Sequence, residues 1–120
     1  MPWEYSQSTG DLKFNGVKVI RGYAGKGNAK NQPTMEHLGN FGPIPKGKYE
    51  IQAPRTSART GPYVLPLVPI GYNARGRADF QIHGDSRSNP GSVASGCIVV
   101  RRSVRERIWK SGIRNLIVVH

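Results

Sequence analysis

Along this chain, apolar positions recur mostly with the period of two that belongs to half-buried strands. Leu12-Lys13-Phe14-Asn15-Gly16-Val17-Lys18-Val19-Ile20 alternates on both sides of Asn15-Gly16. That pair suits the positive backbone angles of a type I′ turn, so the stretch predicts a β-hairpin. Trp3-Glu4-Tyr5 predicts a strand ahead of it, and further strands are expected over Lys48 to Gln52, Tyr63 to Val68 and Ala78 to His83. In the last of these Phe80 and Ile82 alternate with Asp79, Gln81 and His83. His83 is therefore expected on the side away from the packed face, toward a cleft or solvent. Residues 21–47 carry Gly22, Gly25, Gly27, Pro33, Gly39, Gly42, Pro43, Pro45 and Gly47 and are too punctuated for regular structure. Connections this long in a small domain are often functional. One helix is expected, Val104 to Ser111. Ser103 is placed to cap it, Glu106 completes a capping box, Val104, Ile108 and Trp109 give it an apolar side, and Gly112 suits the position past its end. Arg114 to His120, centred on Leu116-Ile117-Val118-Val119, reads as a closing buried strand. The sum is a mainly-β domain, sandwich- or barrel-like, with one short helix near the C-terminus.

Composition narrows this picture. The 120 residues suit one domain spanning 1–120, with no internal repeat or composition shift to mark a linker. No stretch approaches the roughly 20 apolar residues of a membrane span. Met1-Pro2-Trp3-Glu4-Tyr5 lacks the basic-then-apolar pattern of a secretory signal. The charge of +11 predicts affinity for polyanions such as nucleic acid, anionic lipid or an acidic cell wall, without choosing among them. Its tightest cluster, Arg101, Arg102, Arg105 and Arg107, has the bland reading of a solvated face. The ten aromatics are scattered and form no evident basic-aromatic groove, so nucleic acid is not an expected partner.

The chemistry-bearing segment is Phe80-Gln81-Ile82-His83-Gly84-Asp85, a loop from Ser86 to Ser92, then Ala94-Ser95-Gly96-Cys97-Ile98-Val99-Val100. A strand delivers a histidine, and a turn of small residues delivers the chain's one cysteine. The reactive form of cysteine is the thiolate, and an imidazole can take its proton. Attack on an amide carbonyl makes an oxyanion that backbone N–H groups stabilise if the backbone comes close, and Ser95-Gly96-Cys97 meets that requirement. Gly84 leaves open space beside the histidine. Asp85 reads as a turn residue, a partner for Arg87, an orienter of His83, or a ligand for a substrate ammonium. Against this stands the reading of Cys97, before Ile-Val-Val, as a buried core residue. Zinc binding by Cys97, His83 and Asp85 with His37 or His120 lacks any close-spaced ligand pair, so no metal and no cofactor are expected. Otherwise His37 and His120 read as exposed. Gly22-Tyr23-Ala24-Gly25-Lys26-Gly27-Asn28 looks superficially like a phosphate loop but lacks the Lys and Ser/Thr that must follow the second glycine.

Taken together, these residues resemble the L,D-transpeptidase superfamily, in particular its compact branch of type VI secretion effectors that attack peptidoglycan. The resemblance runs over nearly the whole chain. It includes Trp3-x-Tyr5-x-Gln7-Ser8-Thr9-Gly10, the Asn15-Gly16 hairpin, Gly22-Tyr23-x-Gly25-x-Gly27, Asn40-Phe41-Gly42-Pro43-Ile44-Pro45-x-Gly47-x-Tyr49, Ile82-His83-Gly84-Asp85 and Ser95-Gly96-Cys97-Ile98. It implies a β-sandwich-like catalytic domain in which Cys97 attacks the bond between meso-diaminopimelate and D-alanine in a tetrapeptide stem. His83 would be the base, and the backbone N–H groups of Gly96 and Cys97 the oxyanion donors. Tyr23 and the turn containing Pro43 would line the cleft, with Gly84 and Asp85 beside them. Water would resolve the acyl-enzyme as an L,D-carboxypeptidase, and a D-amino acid would resolve it by exchange. The resemblance further implies synthesis in a producer's cytoplasm, export without a signal peptide on a secretion-apparatus carrier, action in the target cell's periplasm, and a cognate immunity protein. Typical housekeeping members carry Ser-His-Gly-Cys followed one residue later by Arg. Here Ala94 and Ser95 precede Gly96, and Val99 follows Ile98, so those members' substrate-contacting His and Arg are not carried over. Two other readings stay open: a non-catalytic cationic module for cell wall or nucleic acid, and a housekeeping transpeptidase whose export signal is missing.

Overall fold

The alternation seen in the sequence becomes strands in a computed structural model that describes residues 2–25, 30–37, 42–58, 60–71, 74, 80–84 and 97–120. Strand β1 (Trp3–Ser6) buries Trp3 and Tyr5 and leaves Glu4 and Ser6 half-covered. Strands β2 (Asp11–Phe14) and β3 (Val17–Arg21) form the expected hairpin. Its turn residues Asn15 and Gly16 have φ of 54° and 76°, as a type I′ turn requires. The chain continues through β4 (Tyr23–Ala24), a 3-10 turn (Pro33–Met35), β5 (Gly47–Ile51), β6 (Arg55–Ser57), β7 (Gly61–Pro69), β8 (Phe80–His83), β9 (Ile98–Val99), α1 (Arg102–Lys110) and β10 (Asn115–Val119). The architecture is mainly β, as expected, and among the described residues it has one short α-helix, near the C-terminus. Residues 78 and 79, expected to start β8, lie outside the described residues. The short strands β4, β6 and β9 were not foreseen, because two or three residues carry too little periodicity to register.

The ten strands form one mixed sheet in the order β3-β2-β1-β10-β5-β7-β8-β9-β4, with β6 paired to β7. β10 pairs in parallel with β1 and β9 in parallel with β8, and the other pairs are antiparallel. β10 lies between β1 and β5, with Leu116 and Val118 buried and Ile117 and Val119 half-covered. The core runs through Trp3, Tyr5, Leu12, Ile44, Tyr49, Ile51, Leu65, Phe80, Ile82, Ile98, Val104, Ile108 and Leu116. Tyr49 meets Phe80 edge-on at 5.5 Å between ring centroids.

The first and last strands of that order, β3 and β4, are separated in sequence by Gly22 alone. The sheet therefore curls until its two ends share one corner. There the Gly22 N–H donates to the Gly10 carbonyl at 2.7 Å. A Cβ on Gly10 would lie 2.1 Å from the Gly22 oxygen, and a Cβ on Gly22 would lie 2.3 Å from the Val99 oxygen. Three backbones touch, and only glycine fits between them.

Helix α1 begins earlier than expected. Arg101 occupies the cap position without a side-chain cap bond, so the predicted Ser103 to Glu106 capping box does not form. Glu106 pairs instead with Arg102, one turn back, at 3.0 Å. Starting at Arg102 lays Val104, Arg105 and Ile108 on the buried side. Ser111 closes the helix, donating to the Ile108 carbonyl and accepting from the Trp3 indole. Gly112 follows with φ 77°.

A buried polar clamp holds the proline-rich segment. The Gln7 side-chain amide, fully buried, donates to Glu36 Oε1 and to the Ile44 carbonyl, both at 2.9 Å. Lys46 reaches the same Glu36 oxygen from its ammonium at 3.1 Å and from its backbone N–H at 3.3 Å. Tyr49 Oη donates to the Pro45 carbonyl at 2.7 Å. Gly42, Pro43, Ile44 and Pro45 are buried behind these bonds.

Two stability predictions follow from the corner and the clamp. Gly22→Ala is expected to cost at least about 2 kcal/mol in chemical denaturation, because a backbone must move. Gly16→Ala, where the added Cβ meets open space, should cost about 1 kcal/mol from its positive φ alone. Equal losses would mean that the corner is not tight. Glu36→Ala should cost about 2–4 kcal/mol, since it unpairs one N–H of the buried Gln7 amide and releases Lys46. A loss under about 0.5 kcal/mol, typical of an exposed ion pair, would contradict the clamp.

Candidate active site

All four residues of β8 are buried. This narrows one expectation: His83 lies on the face away from the core residues but is not open to solvent, being 1% exposed. Both faces of the strand are covered. Phe80 and Ile82 belong to the main core together with Ile98 and Val100. Gln81 accepts a hydrogen bond from Thr60 Oγ at 2.9 Å. The parallel pairing of β8 and β9 sets Ile82 beside Ile98 and His83 beside Val99, and the Val100 N–H donates to the His83 carbonyl at 3.1 Å. Alternation puts Gln81, His83 and Val99 on the face opposite the core residues. The residue before Ile98 enters on that same face, and it is Cys97, 2% exposed. Cys97 immediately precedes β9, two registers from His83, which sets their Cα atoms roughly 8 Å apart if the strand spacing continues to it.

The histidine is oriented by its own neighbour. His83 Nδ1 lies 2.8 Å from the Gly84 carbonyl. A carbonyl can only accept, so Nδ1 carries the proton and Nε2 is the basic nitrogen of the neutral ring.

Gly84 has a second role. A Cβ on it would sit 2.9 Å from Arg105 Nη2, so glycine lets the guanidinium pass behind the strand end, on the side opposite His83. Arg105 is 6% exposed. Its Nη1 donates to the carbonyls of Pro62 and Tyr63 at 3.0 and 2.9 Å, and its Nε is buried with no partner. Burial, then the neighbouring Arg102, lowers its pKa, opposed by Glu106. The sequence reading of the arginine cluster as a solvated face is thus corrected for Arg105, while Arg101, Arg102 and Arg107 are exposed. The available signal was helical spacing, since Arg105 falls on the stripe of Val104 and Ile108.

Tyr23 enters from the other end of the sheet. β4 pairs antiparallel with β9, Tyr23 opposite Val99 and Ala24 opposite Ile98. His83, Val99 and Tyr23 therefore form one lateral row on one face. The Lys30 ammonium lies over the Tyr23 ring, 4.6 Å from its centroid. Asn31 exchanges hydrogen bonds with Ala24, its Oδ1 accepting from the Ala24 N–H at 3.1 Å and its N–H donating to the Ala24 carbonyl at 2.8 Å. Pro43 lies in the buried segment behind the Gln7–Glu36 clamp. Asp85, Ser95 and Gly96 lie outside the described residues. Among the described residues no group of three or more His, Cys, Asp and Glu side chains is placed to hold a metal, and no helix is long and apolar enough to cross a membrane.

Comparison with known proteins gives a fold and a family. The chain is similar to the structure of Bdellovibrio bacteriovorus Bd1075, with a TM-score of 0.65 and 17% identity. The match covers 98% of this chain and 46% of that one, so the chain spans less than half of that protein's length. At this identity the likeness concerns the fold. A search of curated proteins finds no match. The model of the Tlde1 domain, a family of type VI secretion, L,D-transpeptidase-like effectors directed at peptidoglycan in a target cell, matches residues 18–119. With β4 to β10, the helix and the His83 to Cys97 segment inside that match, this chain belongs to the Tlde1 domain family.

Proposed function

We propose that this domain is a cysteine L,D-carboxypeptidase that cleaves the bond between meso-diaminopimelate and D-alanine in tetrapeptide stems, with exchange for a free D-amino acid as a second outcome. The observation that carries the reading is the parallel β8–β9 register, which brings Cys97 to the face of His83 while the Gly84 carbonyl holds the imidazole with Nε2 as base. His83 Nε2 takes the thiol proton, and the sulfur adds to the diaminopimelate carbonyl carbon. The backbone N–H groups of Gly96 and Cys97 receive the oxyanion, and Ser95, being small, lets the backbone approach. The imidazolium returns the proton to the amide nitrogen as the C–N bond breaks, releasing D-alanine and leaving a thioester. His83 then deprotonates water, whose attack frees the tripeptide and restores the thiol. An incoming D-amino acid amine replaces water in exchange. Tyr23, on the same row, lines the peptide's path, and Gly84 and Asp85, which follow His83 in the chain, are assigned to substrate binding with it. The charge of +11 suits an anionic wall. The site of action is the target cell's periplasm, where an immunity protein covering this face would protect the producer.

Purified muropeptides followed by mass spectrometry test the reading directly. The wild-type protein should convert tetrapeptides to tripeptides, Cys97→Ala should abolish the conversion, and His83→Ala should slow it by about 10² to 10⁴. Undiminished conversion by Cys97→Ala would sink the mechanism. A second measurement separates a reactive thiol from a packed one. Alkylation should titrate as a thiolate below about pH 8 in the wild type and shift upward in His83→Ala. A wild-type thiol inert up to pH 9 would make Cys97 a core residue.

A further inference from the structure

Where the sheet ends meet, the side chains on either side of Gly22 diverge and leave a cleft of about 310 Å³, lined by Ile20, Arg21, Tyr23, Val99, Val100 and Arg101. It shares Tyr23 and Val99 with the row that ends at His83, so it adjoins that row at the corner of the sheet. Val99, 4% exposed, gives it an apolar floor. With strands about 4.8 Å apart and residues about 3.3 Å apart along them, the cleft lies roughly 7–13 Å from Cys97. That is the reach of two to four residues of extended peptide.

The charged side chains that line the cleft are both arginines, and they differ in state. Arg21 is engaged, its Nε 3.4 Å from Asp11, which Lys18 also contacts. Arg101 is exposed and makes no side-chain hydrogen bond or ion pair among the described residues. Its backbone is extended, with φ −65° and ψ 161°, so alternation from Val99 through the core residue Val100 returns Arg101 to the face of Val99 and Tyr23. The Lys30 ammonium over Tyr23 adds positive charge beside the cleft. An unengaged guanidinium over an apolar floor is suited to a carboxylate, which it can bind through two parallel hydrogen bonds.

We infer that this cleft is a subsite for a carboxylate of the stem peptide that takes no part in the reaction, with Arg101 as the residue that binds it. The inference rests on the carboxypeptidase reading above. On the acyl-donor side of the cleaved bond, such a stem offers two groups of this kind within two residues of the attacked carbonyl: the α-carboxylate of the γ-linked D-glutamyl residue and the second carboxylate of diaminopimelate. Either one, fixed at Arg101, sets the register of the peptide over Cys97.

Hydrolysis kinetics on three synthetic tetrapeptides test this. One is unmodified, one is amidated at the D-glutamyl carboxylate, and one is amidated at the second diaminopimelate carboxylate. One amidation should lower wild-type kcat/KM roughly five- to tenfold, mainly through KM, and so name the bound group. Arg101→Gln should lose that discrimination, and Arg101→Lys should keep part of it. Equal wild-type rates on all three peptides, or full discrimination retained in Arg101→Gln, would overturn the subsite while leaving the carboxypeptidase reading intact. A wild-type protein that cleaves none of them would remove the carboxypeptidase reading itself, and the subsite with it. The amidated peptides probe the wild-type chain, so the outcome does not depend on any variant folding.

Discussion

The contact of three backbones at Gly10, Gly22 and Val99 is the constraint on which this molecule depends. A sheet whose end strands follow each other in the chain with one residue between them must bend until those ends meet. The bend is possible only where the backbones can pack without side chains. Once it closes, β4 lies beside β9 and β9 beside β8, and this lateral packing places Tyr23, Val99 and His83 in one row. The same corner spreads Arg21 and Tyr23 apart and opens the cleft that Arg101 borders. The row and the cleft are thus consequences of closure rather than additions to a finished scaffold.

Around this frame, buried polar groups hold the pieces that strands cannot. Glu36 receives bonds from Gln7 and Lys46, so its charge is compensated, and the proline-rich segment is tied to the end of β1. Arg105 is treated less generously. It has two carbonyl acceptors and a buried, unpartnered Nε, and its surroundings disfavour its charge. A buried cation with incomplete hydrogen bonding is costly. Its guanidinium packs against Gly84, the residue whose carbonyl holds His83. The helix therefore supports the end of β8 through one side chain that sits on its otherwise apolar stripe.

Much of the fold was legible because local patterns and tertiary structure agree. The Asn15-Gly16 hairpin, the strands at Trp3, Tyr49, Leu65 and Leu116, and a single C-terminal helix all follow from period and turn chemistry. The helix start was misread because Ser103 and Glu106 satisfy a local rule, while burial of Val104, Arg105 and Ile108 and the Arg102–Glu106 pair favour an earlier turn. The exposure of His83 was misread because alternation distinguishes two faces of a strand but does not say whether the second face is covered.

The sequence by itself determined the mainly-β class, the turn at Asn15-Gly16, and the presence of one cysteine and one strand-borne histidine of the right chemistry, since these depend on neighbours a few residues away. Only the tertiary structure decided that β9 runs parallel to β8, that Tyr23 returns to the same row from the far end of the sheet, and that Arg105 is buried while Arg101 is not. Those outcomes depend on contacts between residues far apart in the chain, such as Gly22 with Val99 and Arg105 with Tyr63. Periodicity is blind to strand order and to which faces meet, and closure of the sheet settles both.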